Sequence, residues 1–175
     1  MAIRDRLRVS RKVVLLACTA LTLTTMVGCS PPERPLVAIY AAQGGEVRAL
    51  LRACPNSAVT SMTLMRMDGK ESASAATQGV EYWVGTPPEP LKGEQDISLV
   101  SLPADWGASR LGTGELTAGA FYSLNFTSGH DDSVDYHGIG GFRTSDIEKL
   151  APGDVWADGK SMSLKEFRKK ADGSC

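Results

Sequence analysis

The chain has 175 residues, 19 of them basic and 20 acidic, a formal charge of −1, and only four cysteines and two histidines. That balance offers no basic surface for nucleic acid. The cysteines, at 18, 29, 54 and 175, lack the close pairs that a structural zinc site uses.

Residues 1–28 read as a secretory leader. Arg4, Arg6, Arg8, Arg11 and Lys12 make a basic start offset only by Asp5, and positions 13–27 carry no charge. A basic start, a short apolar core and a small residue at the cut mark a cleaved signal, and the run is shorter than the ~20 residues that cross a bilayer. Met26-Val27-Gly28-Cys29 resembles the lipobox of bacterial lipoproteins. The resemblance implies cleavage before Cys29, lipidation of that cysteine with palmitate among its acyl groups, and attachment to the extracytoplasmic face of the cell membrane. A rival string, Leu15-Leu16-Ala17-Cys18, would shorten the apolar core to Val13–Ala17, below the ~7 residues a leader needs.

Residues 1–28 hold five basic residues and one acidic one, so the other 147 carry 14 basic against 19 acidic and a formal charge of −5. The negative sign leaves the lipid, not electrostatics, as the membrane attachment. The size suits one domain with one core. With Cys18 removed and Cys29 lipidated, Cys54 and Cys175 remain. In an exported chain the expectation is one disulfide between them, with two free thiols as the alternative. Residues 29–35, with Pro31, Pro32 and Pro35, are expected to be an extended tether of about 20 Å.

From Leu36 the pattern is one of strands. Leu36 to Ala42 is the first, and Gln43-Gly44-Gly45 its turn. In Glu46 to Ala53, Val47, Ala49, Leu51 and Ala53 share one face and Glu46, Arg48 and Arg52 the other, the period of a half-buried strand. Cys54-Pro55-Asn56-Ser57 turns the chain into Val59 to Met67, and Asp68 to Gln78 is a polar loop. Val80, Tyr82 and Val84 alternate before Pro87-Pro88-Glu89-Pro90. Ile97 to Leu102, Phe121 to Thr127 and Ile139 to Arg143 complete seven strands, the last with Gly138, Gly140 and Gly141 marking a bulge or a close backbone approach.

Seven short strands with frequent turns predict a mainly β, seven-stranded sandwich over residues 36–143. The strand into Cys54-Pro55-Asn56 followed by Val59 to Met67 resembles the second and third strands of immunoglobulin and fibronectin type III-like domains. Leu116-Thr117-Ala118-Gly119-Ala120-Phe121-Tyr122 resembles their tyrosine corner, which implies a phenol bonded back to the backbone. Residues 144–175 read as a short C-terminal helical extension. Ser145-Asp146-Ile147-Glu148 and Ser163-Leu164-Lys165-Glu166 both fit a capping box, the first stopped by Pro152 and the second starting a helix through Ala171. Met162 and Phe167 are placed for a hydrophobic staple, and Leu164, Phe167 and Ala171 share a face. The whole layout resembles small uncharacterised lipoproteins of high-GC Gram-positive bacteria, a group that implies no particular activity.

Catalytic motifs are scarce. No Gly-x-Ser-x-Gly, His-Glu-x-x-His, Walker loop or Cys-x-x-Cys occurs. Both histidines fall in Gly129 to Gly138, where His130, Asp131, Asp135 and His137 could ligate a divalent metal; a solvated hairpin tip is the competing reading. Met62, Met65 and Met67 fit core packing better than copper binding. Trp83, on the face opposite Tyr82, is a candidate surface contact, with burial as the competing and commoner reading of a tryptophan. The expectation is a lipid-anchored, non-catalytic binding or interaction module without a cofactor, its partner a protein or cell-envelope ligand and not nucleic acid. The alternative is a metal-dependent or hydrolytic enzyme built on the His130–His137 loop.

Overall fold

The alternating strands assemble into two sheets that bury each other's inner faces. The computed structural model describes residues 31–67, 80–110, 115–129 and 133–175. The leader, Cys29, the expected 68–78 loop, His130 and Asp131 lie outside the described residues. The strands are β1 (Glu33–Arg34), β2 (Val37–Ala41), β3 (Val47–Arg52), β4 (Ala58–Met67), β5 (Val80–Thr86), β6 (Leu91–Lys92), β7 (Glu94–Ser98), β8 (Gly107–Arg110), β9 (Phe121–Gly129), β10 (Tyr136–Arg143), β11 (Asp154–Ala157) and β12 (Lys160–Ser163). Two helices, α1 (Thr144–Ile147) and α2 (Leu164–Ser174), lie in the C-terminal part.

One sheet runs β1–β10–β9–β4–β5–β8, with β6 also paired to β4; the other runs β12–β11–β2–β3–β7. The fold is mainly β, two sheets and a short C-terminal helix, as the alternation predicts. The inner face of the first sheet carries Tyr122, Leu124 and Phe126 of β9, Met62 and Leu64 of β4, and Trp83 of β5, all buried. Burying one such side chain stabilises the fold by about 1.5–3 kcal/mol. The glycines of β10 mark a close approach and not a bulge: its register with β9 is unbroken, and a Cβ on Gly140 would lie 2.7 Å from Val37 Cγ1 of the facing sheet. Two indoles tie the sheets together at opposite sides. Trp83 Nε1 donates to Leu99 O at 3.0 Å and Trp156 Nε1 to Gly141 O at 3.0 Å. The expected corner bond is present: the Thr117 N–H donates to Tyr122 Oη at 2.8 Å.

The outer face of the second sheet is covered in its turn. Ala38 and Leu50 point outward from β2 and β3, yet are 0 % and 8 % exposed, because α2 lies over them. Phe167 and Ala171 are the buried residues of that helix, and Val155, Ala157 and Met162 complete a second apolar layer. The capping box forms as expected, with the Ser163 N–H donating to Glu166 Oε2 at 2.9 Å and the Glu166 N–H to Ser163 Oγ at 3.3 Å.

Five expectations are corrected. The tether expected over residues 29–35 is cut short, because Glu33 and Arg34 pair in parallel with β10 as β1. The strand placed at Ile97 to Leu102 is Glu94–Ser98, since Glu94 and Asp96 face Arg52 and Arg48 of β3 and so tolerate a strand. Residues 144–175 are not only helical, because β11 and β12 form a hairpin that joins the second sheet through Trp156 opposite Ile39. Asp158 and Gly159 carry φ of 51° and 72°, the positive pair that a tight two-residue hairpin turn uses. The first capping box is shifted: the Arg143 N–H donates to Asp146 Oδ2 at 3.0 Å, and Ser145 sits inside α1. Finally, Trp83 is 0 % exposed and is a core residue, not a surface contact.

Candidate functional site

Strand direction brings the chemistry to one end of the sandwich. β3 ends at Arg52, β4 begins at Ala58, β7 begins at Glu94 and β10 begins at Tyr136, while α2 runs back toward the same end. Between β3 and β4 the chain turns tightly, with the Ser57 N–H donating to Cys54 O and Asn56 at φ 67°. Cys54 there meets Cys175 in a disulfide of sequence separation 121. Tyr136 stands behind it: the Cys54 N–H donates to its phenol oxygen at 2.6 Å, and Ser57 Oγ shares a hydrogen bond with that oxygen at 2.8 Å. Arg34 lies over the Tyr136 ring, 4.8 Å from its centroid, an attraction worth about 0.5–2 kcal/mol. The same guanidinium donates to Ser174 O at 2.8 Å, to Cys175 O at 3.3 Å and to Cys54 Sγ at 3.4 Å.

Beside the disulfide an ion ladder fastens α2 to the sheet. Arg168 makes a two-pronged pair with Glu94 at 2.9 and 2.6 Å; Glu94 also accepts from Arg52 at 2.9 Å, and Arg52 reaches Asp172 at 2.7 Å. Arg168 first, then Arg52, hold the Glu94 carboxyl below its ordinary range against the opposing effect of burial. Glu94 in turn raises the Arg168 guanidinium. A cavity of about 600 Å³ opens between the turn at Pro55, the β6 turn at Pro90 and the ladder residues Arg52 and Asp172, with Cys54 in its wall. That volume falls in the range of small-ligand sites, and its walls combine apolar surface with the paired charges of Arg52, Glu94 and Asp172 and with Lys92.

A second polar cluster lies on the outer face of the same sheet. Tyr40 donates to Asp96 at 2.7 Å, and Arg48 bridges Asp96 at 2.9 Å and Glu46 at 3.1 Å. Burial, then the Asp96 carboxylate, push the Tyr40 phenol upward. These are cross-strand partners that keep β2, β3 and β7 in register, an adequate account of them without a ligand.

The expected site residues are dispersed. Cys54 and Cys175 are bonded, as predicted. Asp135 and His137 are half-buried at the start of β10, where the His137 N–H donates to Pro32 O at 3.0 Å and holds β1 in parallel pairing. Among the described residues no three His, Cys, Asp or Glu side chains are grouped for a metal, and the other two members of that proposed set, His130 and Asp131, are not described. Sequence reasoning missed Arg34, Arg52, Glu94, Arg168 and Asp172, which lie far apart in the chain and form no local motif. No family model, curated protein or solved structure matches this chain.

Proposed function

We propose that the protein is a lipid-anchored, extracytoplasmic, non-catalytic binding module of immunoglobulin or fibronectin type III type. It hangs from the outer face of the cell membrane by lipidated Cys29. The observation that supports this reading best is that the disulfide, the cavity and the entry of the chain share one end of the sandwich. Strand pairing begins at Glu33, four residues after Cys29, so the first paired residue stands at most about 14 Å from the lipidated sulfur's residue. The disulfide fits an oxidising compartment. Among the described residues no helix is long and apolar enough to cross a membrane, which suits attachment by lipid. The order β2–β3–β7 against β10–β9–β4–β5 and the Tyr122 corner bond support the proposed fold type. A protein or cell-envelope ligand is the expected partner, met through end loops or the cavity.

Membrane fractionation with detergent partitioning tests the anchor. The wild type is expected in the membrane and detergent phases, and Cys29→Ala in the aqueous fraction. A Cys29→Ala protein that is cleaved normally and still stays with the membrane overturns the reading.

A further inference from the structure

The two sulfurs of the disulfide stand in different surroundings. Cys54 is 7 % exposed, packed behind Tyr136 and in contact with the Arg34 guanidinium, whereas Cys175 is exposed at the end of α2. We propose that this bond is a site of directional thiol–disulfide exchange, in which an external dithiol attacks Cys175 and Cys54 leaves as a thiolate held by Arg34. The inference goes beyond the anchored-module reading and stands without it.

Access and leaving-group stability both set the direction. A thiolate attacks along the S–S axis, so the open sulfur is the one reached, and exchange is faster when the departing thiol has the lower pKa. A cation against sulfur lowers a thiol's pKa, and Arg34 Nη1 sits 3.4 Å from Cys54 Sγ. Burial acts the other way on a thiol. It weakens once Cys175 departs, because the side chain bonded to Cys54 moves away and Cys54 already borders the open cavity. Arg34 does not depart with it: the Tyr136 ring holds the guanidinium from below, and β1 pairs its backbone with β10 at Gly138. Arg34 meets Cys175 at its carbonyl oxygen, 3.3 Å from Nη1, and Cys175 is an exposed residue.

The electron count closes with the dithiol as reductant. Its first thiolate forms a bond to Cys175 Sγ, the protein S–S bond breaks, and the electron pair stays on Cys54 Sγ. Its second thiolate then attacks the first sulfur of the dithiol in the mixed disulfide. That closes the reagent's own disulfide and releases the Cys175 thiolate, which takes a proton from water. The protein gains two electrons and the dithiol loses two.

The test traps the intermediate with glutathione, a monothiol that has no second thiol of its own, so that release needs a second glutathione molecule and an early quench catches the mixed disulfide. The oxidised wild-type protein is treated at neutral pH, quenched with acid, alkylated and mapped by mass spectrometry. Glutathione is expected on Cys175, with Cys54 alkylated, by at least about tenfold over the opposite arrangement; equal or reversed occupancy overturns the proposal. The pH dependence of Cys54 alkylation is then read in Cys175→Ser. Its midpoint is expected below the ordinary thiol value of about 8.5, raised by Arg34→Gln and kept low by Arg34→Lys. A merely structural arginine would leave that midpoint unmoved, and a midpoint at or above about 8.5 in the Arg34 protein also overturns the proposal. The mapping of the wild type needs no variant to fold.

Discussion

The two outer faces of the sandwich are made from strands of the same kind and carry opposite residues. On the second sheet, Ala38 and Leu50 project outward and are buried beneath Phe167 and Ala171 of α2. On the first, Ser61, Thr63 and Met65 of β4 stand outward beside Thr127, Asn125 and Ser123 of β9, all half-exposed, and Met67 beside Phe121 closes the row at one end. A sheet face that keeps small polar side chains is adapted to water, whereas an apolar residue at an outward position needs a cover. The difference shows that α2 is the third layer of this fold and not an appendage. It is held by packing, by the Arg168–Glu94–Arg52–Asp172 ladder and by one covalent bond.

Removing the covalent bond should have the largest effect. Cys54→Ser with Cys175→Ser is expected to lower unfolding free energy by about 4–5 kcal/mol on chain-entropy grounds, measured by denaturant titration under conditions that keep the wild type oxidised. A loss under about 1 kcal/mol would mean that packing alone holds the third layer. Phe167→Ala, in the oxidised protein, is expected to cost about 3–4 kcal/mol by emptying a fully buried position of the helix. If that change proved neutral, the covered face would not depend on its helix.

The ladder should matter less and should depend on pH. Glu94→Gln is expected to cost about 1 kcal/mol at pH 7, with the loss fading in acid. Its carboxyl titrates lower in the folded protein than the ordinary 4.5, so its stabilisation is fully present above that value and disappears as pH falls through the folded pKa. Unfolding titrations of both proteins at pH 7 and near pH 3 check this, and a gap that widened in acid would refute the assignment. Thr63→Ala with Asn125→Ala on the open face should change stability by no more than about 0.5 kcal/mol. A thermal shift beyond that range would reveal a cover on this face too.

Much of this contrast is legible along the chain. Alternation located β3, β4, β5, β9 and β10, the serine–glutamate spacing located the start of α2, and the cysteine count paired Cys54 with Cys175. Leu50, an apolar residue among the outward positions of β3, was a signal that the face is covered. Asp158-Gly159 between alternating residues was likewise the signature of the β11–β12 hairpin. Other features had no local signal. Glu94-Gln95-Asp96 reads as loop until Arg52 stands opposite Glu94 and Arg48 reaches Asp96 diagonally, and nothing near Arg34 in sequence announces Tyr136, Ser174 or Cys54.

Periodicity, short-range spacing and residue counts by themselves determined the β class, the helix start and the disulfide pair, because each depends on neighbours a few positions apart or on a total; the corner tyrosine was what the resemblance to immunoglobulin-like domains implied. Only the tertiary structure decided that Trp83 is buried, that the C-terminal hairpin belongs to the sheet and that Arg34 rests on a sulfur. Those outcomes depend on which strands lie side by side and which end of the sandwich each turn reaches. That is a matter of long-range pairing, which local sequence does not encode.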